Sequence, residues 1–461
     1  MQATTVENIR RAIGGALVCG HGDLRVAGVS TDSRSIKPGE LFFALRGERF
    51  DGHDFVGAAL ARGAVGAVVA RVPANVAGAR EFCLISVPDP LSALQQWAKT
   101  YRAQFDLVAV GVTGSTGKTT TKEMVARVLG LRWQTLATPG NFNNEIGLPL
   151  TLCQLGPEHG ALVVEMGMRG RGEIAFLCSL AQPNSGVITN VGPAHLERLG
   201  SLENIAAAKG ELLASLAPGS LAVLNYDDPY CRRLGEKSHC TVRYYGFDPG
   251  AQVRAREVRP TPQGYACTVL FEGEPVALHL PLWGRHNVAN ALAALTLGFY
   301  LGLAPQAMVQ TLAEMRAGGM RLEAIPGPRG SLVLNDAYNA NPASTKAALT
   351  VLAERRPERA VAVLGDMLEL GTYAGPAHRE VGEMAAALKI DLLVTIGPLA
   401  AEAARAAVAA GMPAHRVHVF ATKEEALPFL RENLRAGDLV LVKASRALAL
   451  EHLVAALQGE G

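Results

Sequence analysis

The run Gly111–Met124, GVTGSTGKTTTKEM, carries the residue types that hold phosphate. Glycines let a backbone come close to an anion, a lysine neutralises charge, and hydroxyls next to the lysine can reach a metal ion. The spacing departs by one residue from the common pattern G-x-x-x-x-G-K-[ST]. Counting back from Gly117-Lys118-Thr119, the first glycine would sit at 112; Val112 is there instead, and the glycines fall at Gly111 and Gly114. The context is still that of an anion site, because an apolar run, LVAVGVTG, leads into the turn and a helix-like stretch leaves it. At such a helix start the free backbone N–H groups and the helix dipole both attract negative charge. Lys118 is expected to neutralise phosphate, and Thr119 to place its hydroxyl on Mg²⁺.

Three further side chains could complete that chemistry. Glu165 ends ALVVE, and the carboxyl ends of parallel strands are where ligands collect. His195 follows another strand in ITNVGPAHLERLG. Lys209 lies in SLENIAAAKGELLASL, a helix with Ser201 as its N-cap and Pro218-Gly219 as its stop. Taken alone, each has an ordinary reading as well: an acid ending a strand by chance, a structural histidine, a solvated lysine.

The elements that must position these groups follow from the apolar rhythm. LVAVGVTG, ALVVEMG, SGVITNVG and SLAVLN are continuous apolar runs separated by helical stretches, which implies a parallel sheet covered on both faces. Residues 241–282 break the rhythm with TVRYYGF, YACTVLFEG and VALHLPL, an expected antiparallel flap on the same domain. Past Gly318-Gly319, a hinge candidate, alternation resumes in SLVLNDAY, AVAVLGD, LLVTIG, VHVF and DLVLVKAS. Before Pro88-Asp89-Pro90 the texture is of short strands and turns. The expected fold is therefore α/β in three domains. Residues 1–87 form a small N-terminal α/β domain, 88–317 a central P-loop ATPase-like parallel sheet with its flap, and 318–461 a Rossmann-like C-terminal domain.

Bulk properties narrow the function. A chain of 461 residues is long enough for two to four domains at roughly 100–200 residues each. A formal net charge of +2 argues against a dedicated nucleic-acid binder, which carries a basic face. No apolar run reaches the roughly 18 residues of a membrane span, and the start, MQATTVENIRRAIGG, reads as a helix rather than a secretory segment. Seven cysteines without C-x-x-C spacing suit free thiols in a reducing compartment. A soluble, cytoplasmic, monomeric chain is the expectation.

Nine ordered segments resemble the Mur ligase family, whose members extend the peptide of the bacterial cell-wall precursor with ATP. Besides the phosphate loop itself, they are STDSR (Ser30–Arg34), GNFNNEIGLP (Gly140–Pro149), VVEMGMRGRGEI (Val163–Ile174), ITNVGPAHL (Ile188–Leu196), AAAKGEL (Ala206–Leu212), GRHNVANALAA (Gly284–Ala294), GGMRLE (Gly318–Glu323), NDAYNANP (Asn335–Pro342) and LGDMLELG (Leu364–Gly371). T-G-S-T-G-K-T is this family's own form of the phosphate loop, which accounts for the one-residue anomaly. GNFNNEIGLP, EMGMRGRGEI and NDAYNANP are similar to the member that adds D-Ala-D-Ala to UDP-N-acetylmuramoyl-tripeptide.

The resemblance implies roles residue by residue. Thr113, Gly114, Ser115, Thr116, Gly117, Lys118 and Thr119 would contact ATP, with Thr119 on Mg²⁺. Glu165 and His195 would bind metal, and Lys209, carbamylated, would support a second Mg²⁺ site. Asn287 and Asn290 would lie at the adenine side, Arg321 would reach the γ-phosphate, and Asp336 would hold the ribose or adenine side with Tyr338 and Asn339 nearby. Asn141 and Asn144 would line the phosphate and substrate region, and Ser33 and Arg34 the uridine nucleotide. Lys443 and Ser445 would meet the incoming dipeptide, although the family's Lys-Gly-Ser-Arg reads Lys443-Ala444-Ser445-Arg446 here, and a Cβ at 444 restricts the backbone. Lys118, Lys209, His195 and Arg321 are the expected catalytic set. A third-residue-adding ligase or a folylpolyglutamate synthase-like enzyme shares the loop and remains an alternative, as does, more remotely, a P-loop ATPase switch.

Overall fold

In the computed structural model, which describes residues 1–72, 82–194, 196–355 and 357–459, the chain builds three principal sheets. The nine-stranded central sheet runs in the spatial order 274–280, 264–271, 253–261, 241–246, 221–225, 185–188, 108–113, 161–165 and 135–137. The seventh strand in this order, Val108–Thr113, is parallel to both neighbours, Ala161–Glu165 and Ser185–Ile188. All three are buried and apolar in their interiors because helices cover both faces. Since the three strands point the same way, their carboxyl ends place Thr113, Glu165 and Ile188 along one edge, and the site grows there.

The flap differs from expectation in two respects. Thr241–Gly246 is not antiparallel: it pairs parallel with Leu221–Asn225, and antiparallel pairing begins only between Val253–Thr261 and Gly264–Phe271. Strand Val253–Thr261 was not expected at all. Its sequence, VRAREVRPT, exposes one charged face, so it has no apolar run to betray it.

The C-terminal sheet has the order 323–326, 332–335, 438–443, 359–365, 392–396, 417–420, parallel except for its first pair. Each sequence run named above after the glycine pair is a strand of this sheet. The N-terminal sheet has five strands, 16–19, 83–86, 66–69, 40–43 and 28–30. Asp89, within the Pro-Asp-Pro seam, caps helix Pro90–Arg102 by accepting from the Leu91 and Ser92 amides. That helix buries Leu94, Trp97 and Tyr101 in a core continuous from the N-terminal sheet to one face of the central sheet. Among the described residues no helix is long and apolar enough to cross a membrane.

Candidate functional site

The central and C-terminal sheets border a cleft of about 600 Å³. Its floor is the phosphate loop. Gly111 and Val112 both lie inside the buried strand, so the loop proper is Gly114–Gly117. The two loop glycines are required by geometry. Gly114 has φ +151°, and a Cβ there would lie 1.8 Å from Thr189 Oγ1; Gly117 has φ +78°, and a Cβ would lie 2.4 Å from Asn290 Oδ1. The loop is tied to the next strand's end. Thr116 N donates to Asn190 Oδ1 at 3.0 Å, Thr189 Oγ1 donates to Thr116 O at 2.6 Å, and Gly192 N donates to Ser115 Oγ at 2.8 Å. Helix Lys118–Leu129 then starts with its free N–H groups facing the cleft.

Lys118 donates to Gly114 O at 2.8 Å, and burial holds its amine below the ordinary lysine value against the opposing pull of Glu165. Thr119 Oγ1 donates to Glu165 Oε2 at 2.7 Å, and Asn143 Nδ2 donates to the other carboxylate oxygen at 2.7 Å. Glu165 is buried, and its own amide is fixed by Thr138 Oγ1. The far wall comes from the C-terminal sheet. Arg321 Nη2 donates to Thr119 Oγ1 at 2.8 Å, and its guanidinium lies 4.2 Å from the Tyr338 ring centroid. Buried Lys443 and half-buried Asp336 form an ion pair of 2.6 Å, and the other Asp336 oxygen accepts from Leu322 N. The strap that carries Arg321 includes Gly319, Met320 and Leu322 at positive φ, an uncommon conformation for the last two. Backbone strain of this kind persists only where neighbours enforce it, and Asp336 is one such neighbour.

The cleft thus brings together Ser115, Thr116, Gly117, Lys118, Thr119, Asn144, Glu165, Asn287, Asn290, Arg321, Asp336, Tyr338, Asn339 and Lys443. Asn290 and Asn287 are buried on helix Arg285–Tyr300 and hydrogen-bonded to each other at 3.1 Å. Asn141 is exposed and stands beside the Tyr338 hydroxyl, while Asn144 accepts from the Ile146 and Gly147 amides and starts the following helix. Other expected residues stand elsewhere. Thr113 turns its hydroxyl to Met166 O inside the sheet, and Ser445 accepts from Leu368 N. Ser33 and Arg34 lie in the turn that follows strand Gly28–Ser30 of the N-terminal sheet, where Arg34 pairs with Asp32. His195 lies outside the described residues. Ala444 is accommodated without positive φ, because its Cβ occupies the space that Gly365 leaves.

Lys209 is not a solvated helix lysine: it is only 2% exposed. Burial first, and the neighbouring Lys118 charge second, hold its amine well below the ordinary lysine range. Three residues of the site were missed in the sequence. Asn143, Thr189 and Asn190 sit inside quoted runs, GNFNNEIGLP and ITNVG, and the signal was their place at loop and strand ends.

As for metal, Thr119 and Glu165 offer two hard oxygens side by side at the loop. Among the described residues no three His, Cys, Asp or Glu side chains converge to cage an ion. That donor set fits Mg²⁺, which takes one or two carboxylates and completes its shell with water and phosphate.

Comparison with known proteins agrees with this layout. Three family descriptions match in order: Mur ligase family, catalytic domain over residues 25–102, Mur ligase middle domain over 112–298, and Mur ligase, glutamate ligase domain over 320–446. The UDP-N-acetylmuramoyl-tripeptide–D-alanyl-D-alanine ligase of Bacillus subtilis is 39% identical over 98% of this chain and 97% of its own. A crystal structure of MurF from Acinetobacter baumannii superposes with a TM-score of 0.89 at 32% identity, covering 100% of both chains. MurF ligase from Thermotoga maritima in complex with ADP gives 0.81 at 28% identity, over 94% of this chain and 97% of that one.

Proposed function

The chain belongs to the Mur ligase family, and we infer from its cleft and its relatives that it joins D-Ala-D-Ala to UDP-N-acetylmuramoyl-tripeptide, with ATP converted to ADP and phosphate. The product is UDP-N-acetylmuramoyl-pentapeptide, a peptidoglycan precursor. The observation that carries the reading is the meeting of Lys118, Thr119 and Glu165 with Arg321 from the C-terminal sheet in one cleft, in a chain matching such ligases end to end.

A carboxylate resists attack by an amine, so it must first be activated. The tripeptide's terminal carboxylate oxygen forms a bond to the γ-phosphorus as the bond from that phosphorus to the β,γ-bridging oxygen breaks, and ADP leaves. The D-Ala-D-Ala amine attacks the carbonyl carbon of the acyl phosphate and loses a proton. The tetrahedral intermediate then expels phosphate, which keeps one oxygen of the original carboxylate. Both steps crowd negative oxygens together, and Lys118 and Arg321 face that charge from opposite walls. Loop N–H groups at the start of helix Lys118–Leu129 bind the phosphates, and the Asn287–Asn290 side lies where the nucleoside extends.

Thr119 and Glu165 would hold Mg²⁺, which supplies charge neutralisation at the transferring phosphoryl group when bound. Lys209 is suited to carbamylation: a neutral buried amine can add CO₂, release one proton and become an anionic oxygen donor toward a second Mg²⁺, and His195 would serve as a metal ligand in that reading. Asp336 and Lys443 hold the strap of Arg321, and Lys443 and Ser445 serve the dipeptide side. Ser33 and Arg34, with Asn141 and Asn144, serve the uridine-linked acceptor. Domain limits near 87 and 317, a monomeric chain and a cytoplasmic location complete the reading; the seven cysteines, all free, suit a reducing compartment.

The test is product formation from UDP-N-acetylmuramoyl-tripeptide, D-Ala-D-Ala and MgATP, with each omitted in turn. Pentapeptide is expected only in the complete mixture. Steady ATP hydrolysis that ignores both cosubstrates would instead indicate a nucleotide switch.

A further inference from the structure

Helix Pro342–Glu354 of the C-terminal sheet has one end in the cleft, at Asn341, Ala343 and Ser344. Its other end grips the central domain far from the reacting atoms. Arg355, which caps that end, donates from Nη1 to Thr261 O and from Nη2 to Pro262 O, both at 2.6 Å, and so takes hold of the flap's hairpin turn. The same guanidinium lies 4.3 Å from the Trp283 ring centroid. Beside it the Tyr265 hydroxyl donates to Glu354 Oε2. Trp283, a central-domain residue, packs against the C-terminal core.

The grip continues toward the loop. Trp283 O accepts from Asn287 Nδ2 at 2.7 Å. Asn287 Oδ1 accepts from Asn290 Nδ2 at 3.1 Å, and Asn290 Oδ1 accepts from Thr121 Oγ1 at 3.2 Å. Asn290 is also the residue that leaves no room for a Cβ at Gly117. Each of these side chains therefore has one arrangement that satisfies its neighbours, and both asparagines are buried, where an unmade hydrogen bond is costly.

We propose that Arg355 is a positioning residue for nucleotide binding: by clamping the flap turn and Trp283 from the C-terminal domain, it fixes Asn287 and Asn290 and, through them, the phosphate loop. Arg321 lines the cleft itself, whereas Arg355 would act from outside it, through Trp283 and the flap turn. This rests on the ligase reading of the cleft. A guanidinium is needed because only a planar fork can hold two carbonyls and stack on an indole together.

The experiment measures binding of a non-hydrolysable ATP analogue with Mg²⁺ by calorimetry, and amide hydrogen exchange by mass spectrometry, in the full chain and in Arg355→Ala and Arg355→Lys. Arg355→Ala is expected to weaken the analogue about tenfold and to speed exchange in the peptide covering Gly114–Thr121, with Arg355→Lys between it and the wild type. In a Trp283→Leu background, Arg355→Ala should add little further loss. Exchange that rises only at residues 261–265 and 342–355, with affinity unchanged, would reduce Arg355 to interdomain glue and overturn the proposal. Full multiplication of the two losses in the double variant would overturn it too. A wild-type chain that binds no analogue would fail the ligase reading itself, a distinguishable result. If Arg355→Ala does not fold, Arg355→Lys carries the same comparison.

Discussion

The two long walls of the cleft are built by opposite means. The central wall is a set of strand ends locked to one another: Asn190 holds Thr116, Thr189 holds the loop carbonyl, and Asn143 and Thr119 share Glu165. The C-terminal wall is a strap with positive-φ residues, steadied by one ion pair and reaching across through Arg321. One wall is preorganised by the sheet. The other must be delivered to it, as an arginine that completes a site on domain closure would be. Binding phosphate and activating the acceptor are therefore separable, and either wall can be altered without the other.

The largest effect is expected on the fixed wall. Lys118→Ala should lower kcat by about 10³-fold or more, by analogy with the loss of one preorganised charge-stabilising group, while the melting temperature stays near that of the wild type; steady-state kinetics and calorimetric melting check it. Arg321→Ala should cost about 10²–10³-fold in kcat but leave nucleotide affinity much closer to wild type, because the loop that binds phosphate is intact. Equal losses of affinity in both variants would erase the distinction between walls.

Next comes the ion pair that steadies the strap. Lys443→Met leaves the half-buried Asp336 carboxylate with no cation at 2.6 Å. A loss of stability of about 3–5 kcal/mol is expected, seen as earlier unfolding in denaturant, and Asp336→Asn added to it should recover part. Lys209, buried near Lys118 but not lining the cleft, gives a pH signature. Its folded value is depressed, so between that value and the ordinary ~10.4 the unfolded chain binds more protons and stability rises with pH. As pH falls through the depressed value the amine gains a proton. Activity is then expected to fall on the acid limb by several fold, and added bicarbonate to oppose the fall. Insensitivity to bicarbonate at all pH values would remove the carbamate. The smallest effect belongs to the hinge: at Gly319, φ +65°, a Cβ would meet nothing within 4 Å, so Gly319→Ala should cost only about 1 kcal/mol of backbone strain, read by thermal melting.

The same contrast explains what was legible in the sequence. The central wall could be read because parallel strands buried on both faces are apolar runs, and Val108–Thr113 and Ala161–Glu165 announce themselves and their ligand-bearing ends. Lys209 could not be read as buried, since a lysine in an alanine-rich helix looks the same whichever way it faces. Strand Val253–Thr261 hides behind its exposed charges, and Thr241–Gly246 runs parallel rather than antiparallel to its neighbour, a sense that period alone does not encode. Asn143 and Asn190 are single polar residues in loops. Their importance lies in which strand ends the fold brings together, a long-range fact absent from any local window. The pairing of Asp336 with Lys443 spans 107 positions and is likewise tertiary.

The most direct test of the account follows one oxygen atom. UDP-N-acetylmuramoyl-tripeptide labelled with ¹⁸O in its terminal carboxylate is turned over with D-Ala-D-Ala and MgATP, and the released phosphate is weighed by mass spectrometry. Activation in this cleft predicts one labelled oxygen in each phosphate formed, matched to one amide bond. Unlabelled phosphate accompanying pentapeptide formation would show that the carboxylate never attacked phosphorus, and would contradict the account.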